Sequence, residues 1–151
     1  MPTGTNLLGL VKHQAGVEMG YFGETFGRPC PDQLSWDESD PNSDMFAAPD
    51  ESRGLITSLY RRAWAHADIT IDALPLDAIG HVPWWPAGQN EVTLHHVLVR
   101  TASDTSRPDG HADIIRELID GTAGLTAGRP NLPQGDQTWW QAHRDRVERA
   151  A

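Results

Sequence analysis

The sequence has one cysteine, Cys30, and one lysine, Lys12, among its 151 residues. A single cysteine excludes an intramolecular disulfide and a thiolate metal cluster built by one chain. Its setting, Arg28-Pro29-Cys30-Pro31, predicts a turn carrying an incidental loop thiol. No apolar run approaches the roughly 20 residues that span a bilayer, so no membrane partner is expected. The opening MPTGTNLLGLVKH lacks the basic start and apolar core of a secretory signal, which places the protein in the cytoplasm. Positive charge is scarce as well: 12 Lys and Arg stand against 21 Asp and Glu, a net charge of −9. Such a surface repels phosphate backbones and argues against nucleic acid as a partner. Also absent are a glycine-rich phosphate loop, Gly-x-Ser-x-Gly and His-Glu-x-x-His.

What is present is helical periodicity. Leu7, Val11, Ala15, Phe22 and Phe26 recur near helical spacing and predict a first helix over 7–26, capped by Thr5 or Asn6 and ended by Gly27 and Pro29. The stretch 28–49 holds four prolines and the acidic run WDESDPNSD and reads as a long loop, pinned by Trp36, Met45 and Phe46. A second helix is expected over 50–74, with Asp50 as N-cap and an apolar stripe of Leu55, Leu59, Ala63, Ala67, Ile71 and Leu74. After a loop containing Pro83-Trp84-Trp85-Pro86, a third helix runs from Thr93 to Gly121. Its stripe is Leu94, Val97, Leu98, Thr101, Thr105, Ala112, Ile115 and Ile119, with Pro108 in the middle. A short amphipathic helix covers 138–150. No strand-like alternation persists. The expected fold is all-α, a single helical-bundle domain over 1–151.

Three polar residues fall on inner faces. His13 lies between Leu10 and Val17 on the apolar side of the first helix. Asp104 and His111, seven apart, differ by only about 20° around a straight helix and share the stripe of Val97 and Thr101. A carboxylate buried there must be paired, protonated or metal-bound. One reading is a two-histidine, one-carboxylate site for Zn, Ni or Fe. The other is a kinked helix with satisfied polar groups, because Pro108 removes the amide that would bond the Asp104 carbonyl and its ring clashes there. On that reading the helix kinks, bulges or restarts at Pro108. His66 reads as structural, and His95 as a surface residue.

The segments LLGLVKHQAGVEMGYFGETFG, LYRRAWAHADITIDALPLDA, VTLHHVLVRTASDTSRPDGHADIIRELIDG and LPQGDQTWWQAHRDRVERAA together resemble the DinB-like superfamily, in particular an actinobacterial branch of it. The resemblance implies an up-and-down four-helix bundle, here three long helices and a short C-terminal one, commonly a homodimer. It implies a thiol-dependent transferase or isomerase that acts on a small molecule, uses mycothiol or bacillithiol, and activates the sulfur with a divalent metal such as Zn or Ni. His13 matches the family's first ligand. Asp104 stands where a glutamate is usual, and Pro108 stands where the third ligand, a histidine, is usual. His111 matches a neighbouring histidine that does not usually ligate. The helix that normally precedes the first matched segment has no counterpart. Three functions follow as expectations: a thiol transferase or isomerase with a weakened metal site, a metal-free binding or acid–base protein using His13 and Asp104, and a non-catalytic dimeric bundle.

Overall fold

A computed structural model describes residues 4–32, 34, 39–126 and 128–150. The fold is all-α, a bundle-type chain with four α-helices and one two-stranded hairpin among the described residues. The chain divides into two compact units, Met1–Ile115 and Arg116–Ala151.

In the first unit, α1 spans Leu7–Glu18. Asn6 caps it, its side-chain oxygen accepting from the Gly9 amide at 2.8 Å. The chain stays helical as expected to Phe26, but its hydrogen bonding changes. Met19–Gly23 form a wide π-helical turn and Glu24–Phe26 a tight 3₁₀ turn. Gly27, at φ 65, ends the run in a conformation that disfavours side chains. All five residues of the π turn are buried. A single π turn inside a helix frequently marks a functional position, and Glu18 is the last residue before this one.

Helix α2 spans Arg53–Ala73. Its N-cap is Ser52, whose hydroxyl accepts from the Leu55 amide at 3.2 Å, rather than Asp50. The chain turns extended at Leu74, just before Pro75. The buried face is Ile56, Ala63, Ala67 and Thr70. Leu55, expected inside, is 54% exposed, and the neighbouring Ile56 is buried instead.

The loop between α1 and α2 is strapped to both helices. Thr5 donates to the Met45 carbonyl at 2.6 Å, Lys12 donates to the Ser43 carbonyl at 2.9 Å, and the Lys12 ammonium meets Glu51 at 2.8 Å. His66 bonds the Arg28 carbonyl at 2.6 Å, the structural role its position predicts. Cys30 is not an incidental loop thiol. It is buried in a cluster with Ala15, Met19 and Ala63. Trp36 lies outside the described residues.

A hairpin follows α2, where the sequence showed no strand. Strand β1, Ile79–His81, pairs antiparallel with β2, Glu91–Thr93. Three-residue strands are too short to display a period of two. Val82, Val92, Leu94, Val97, Tyr21, Phe22 and Ala67 form the main core cluster beside them. Trp84 packs edge-on against Tyr21. The Arg100 guanidinium lies 4.7 Å from the Trp85 ring centre and donates to the Tyr21 hydroxyl at 3.0 Å.

Helix α3 spans Leu94–Asp120 and continues through Pro108 without a restart. Its buried residues are Leu94, Val97, Thr101 and Pro108 itself. The backbones of α1 and α2 approach closely, whereas α3 meets them through side chains. The second unit contains α4, Gln137–Ala150, which buries no residue. Asp136 accepts from the Trp139 amide at 2.8 Å, and the Trp139 ring stacks on His143. No described helix is long and apolar enough to cross a membrane.

The seam between α1 and its strap is tight at Gly9. A methyl there would overlap the Met45 carbonyl and the Phe46 α-carbon, both backbone atoms. Gly9→Ala should therefore cost about 1–3 kcal/mol of stability, despite alanine's better helix propensity. Urea unfolding checks this; a midpoint at or above the parent's would contradict the packing.

Candidate active site

The three residues singled out by sequence are not brought together. His13 Nδ1 lies 2.6 Å from an Asp44 carboxylate oxygen, in the strap. Asp104 is half-buried and lines an open groove along α3 with His96, Arg100 and Arg107. His111 is exposed. Among the described residues, no three His, Cys, Asp or Glu side chains form a group able to hold a metal ion. Helical phase explains why. Asp104 and His111 lie about 60° and about 80° around α3 from Thr101, at the edge of the buried line rather than on it. The ligand set implied by the resemblance therefore does not fit this arrangement. Pro108 offers no donor atom where the resemblance expects a histidine, whereas the Asp44 contact on Nδ1 of His13 is the kind of carboxylate partner a ligating histidine carries.

A different set of polar groups does converge, in a cleft of about 300 Å³ between α1, α2 and α3. Its apolar walls are Phe22, Trp64, Ile71 and Leu98, and its polar lining is Glu18, Asp68, Thr101 and Thr105. The cleft exists because α3 stands off from the close α1–α2 pair. It is bridged below by Gln14, whose amide donates to the Thr105 hydroxyl at 2.6 Å, and Thr105 in turn donates to the Thr101 carbonyl at 2.8 Å. Four buried side-chain atoms have no hydrogen-bond partner among the described residues, and two of them, Thr101 Oγ1 and Gln14 Oε1, belong to this region.

Glu18 is the chemically distinctive member. Burial, and secondarily the charge of Asp68, raise its carboxyl from 4.5 to about 7. Tyr60 is held above its usual value, first by burial and then by the negative charges of Glu18 and Asp109. A carboxyl that titrates near neutrality in a cleft is a ready proton acceptor and donor. Sequence reasoning passed over Glu18. The available signal was its place four residues after Gln14, inside the otherwise apolar GVEMGYFG.

The chain belongs to the mycothiol-S-transferase family, whose model matches residues 1–121, and so to the DinB-like group that its segments resemble. A cyanophycin synthetase from Synechocystis sp. is 24% identical over 84 residues, 56% of this chain. The chain spans only 10% of that protein's length, and the likeness carries no functional argument. No solved structure matches the chain.

The raised Glu18 carboxyl has a thermodynamic signature. Below about pH 4.5 folded and unfolded chains both hold its proton, and it adds no pH dependence. Between that point and about 7 the unfolded chain releases the proton while the folded one retains it, so stability falls as pH rises. Above 7 the penalty is constant. With allowance for solvent screening of a half-buried group, it is on the order of 1–2 kcal/mol. Glu18→Gln should match the parent near about pH 4 and exceed it by that amount near about pH 8 in urea unfolding. A constant difference across the range would contradict the assignment.

Proposed function

We propose that the chain joins a mycothiol-type thiol, through its sulfur, to a small electrophilic molecule, with the reaction housed in the α1–α2–α3 cleft. Family membership supports the reaction class. The observation that carries the placement is the Glu18 carboxyl, poised near 7 at the cleft. A free cysteine-type thiol loses its proton near about 8.5. Glu18 is basic enough to take that proton as sulfur attacks, the mismatch costing about 2 kcal/mol. The S–H bond breaks with its proton passing to Glu18. The sulfur electron pair forms the new S–C bond, and the acceptor's leaving group departs with the pair from the bond it breaks. Phe22, Ile71 and Leu98 exclude water from one side of the reacting atoms. Burial is also what keeps the carboxyl basic.

A second reading has one observation of its own. The His13–Asp44 contact at 2.6 Å has the geometry by which a carboxylate orients a histidine base. Turnover of a mycothiol-type thiol with a chromogenic aryl halide separates the two. Glu18→Gln should lower kcat/KM by about 10²–10⁴ and flatten the rise in rate between about pH 6 and 8, while His13→Gln leaves the profile's shape intact. Loss of turnover in His13→Gln with Glu18→Gln unaffected would move the base to His13. No turnover by the parent protein with any such pair would sink the thiol-transfer reading.

A further inference from the structure

The chain carries a net charge of −9, yet one flank of α3 is locally positive. Arg100, Ser103, Asp104 and Arg107 line an open groove of about 460 Å³ there, together with His96 and Val99. This groove is separate from the cleft. No residue lines both, and Arg100, Ser103 and Arg107 each stand two positions after a cleft residue, Leu98, Thr101 and Thr105 in turn. Two positions turn a helix by about 200°, so groove and cleft open on opposite flanks of α3.

Two features distinguish the groove from an ordinary solvated face. The first is unpaired charge. Among the described residues, no carboxylate lies within ion-pair distance of Arg100 or Arg107, whereas Lys12 and Arg62 each have one. Asp104 is one turn from both arginines along α3, where helix neighbours meet, and still pairs with neither. The second is the way Arg100 is held. Its Nε donates to the Tyr21 hydroxyl at 3.0 Å, and its guanidinium lies 4.7 Å from the Trp85 ring centre and 5.7 Å from that of Tyr21. Tyr21 is itself buried. Arg100 is thus fixed before any ligand arrives, which removes an ordering cost from binding. Its two terminal nitrogens have no acceptor among the described residues. A guanidinium fixed against rings with its fork left free suits an oxyanion, which takes parallel N–H bonds from it.

Arg107 approaches from the other side. The two arginines leave α3 about 10.5 Å apart along its axis, with Ser103 between them, one turn from each. An anion at the Ser103 hydroxyl is within reach of both side chains. Val99, 58% exposed, offers an apolar surface beside it.

We propose that this groove binds a small molecule bearing one oxyanion, a carboxylate or a phosphate monoester, on an apolar body, with the anion held by Arg100, Arg107 and the Ser103 hydroxyl. The site goes beyond thiol transfer and does not rest on it, so its failure would leave the cleft reading untouched. Asp104 works against the anion. Removing that charge should therefore tighten binding, a result that damage to the fold cannot imitate.

Calorimetric titration of the full chain at low ionic strength tests the proposal, with benzoate, phenyl phosphate and the neutral benzamide as probes. At least one of the two anions should bind at least about tenfold more tightly than benzamide, and lose most of that advantage at about 0.5 M salt. The tighter anion identifies the class of the ligand. Arg107→Gln should weaken anion binding about fivefold or more. Arg107 has no partner among the described residues, so the urea midpoint of this variant should match the parent's. Asp104→Asn should tighten anion binding about twofold to fivefold and leave benzamide unmoved. Equal affinity for the anions and benzamide, no anion binding at about 10 mM, or an Arg107→Gln variant that binds as the parent does would each overturn the proposal. So would an Asp104→Asn variant that fails to bind the anion more tightly.

Discussion

The close contact between α1 and α2 is the constraint on which the rest depends. It is made by small residues: Ala15 on one helix and Ala63 and Ala67 on the other are buried to within 1%. With no long side chain between them, the two backbones come together, and Cys30 and Met19 fill the space alongside. Helix α3 has no such small-residue seam. It reaches the pair through Val97, Leu94 and the Gln14–Thr105 hydrogen bond. The gap that remains is the cleft, and Glu18 stands at its edge because α1 widens into a π turn at the next residue. A larger residue at position 63 or 67 would therefore change the cleft without touching it.

The helices were legible because each carries a long apolar period bounded by Gly or Pro. The register of α2 was less so. Asp50 and Ser52 are both sound N-caps by residue type, and in the stripe Ala63 and Ala67 are buried as expected while Ile56 takes the inner position expected of Leu55. The hairpin was illegible, since three-residue strands have no period and their stability comes from Val82 and Val92 in the core. The site was partly legible. The neighbourhood of Thr101 to His111 was singled out by its polar residues. Phase arithmetic grouped Asp104 with the buried line, but it could not show that a hydroxyl, Thr101, occupies the centre of that line. Glu18 was missed because a lone carboxylate in an apolar helix looks the same in sequence whether it reaches solvent or is trapped.

Pro108 illustrates how neighbours absorb a helix breaker. It is buried, and the helix continues across it. The two hydroxyls preceding it, Thr105 and Ser106, each bond back to a carbonyl one turn earlier, at Thr101 and Ala102. Threonine and serine in this arrangement often bend helices slightly. The same back-bonding removes Thr105 as a free donor to the cleft. The residue that breaks the implied ligand pattern and the hydroxyls that shape the cleft thus belong to one local adjustment.

The strap over α1 depends on Lys12, the one lysine in the chain, whose side chain is 12% exposed and whose ammonium is held by Glu51 and the Ser43 carbonyl. Acylation of an amine requires it free of both proton and partners, so Lys12 reacts only while the strap is lifted. The protein consequently carries a built-in clock for that motion. The rate at which an amine-specific reagent marks this position, followed by peptide mass, reports how often the loop carrying Asp44 leaves His13, with no probe introduced and no residue changed.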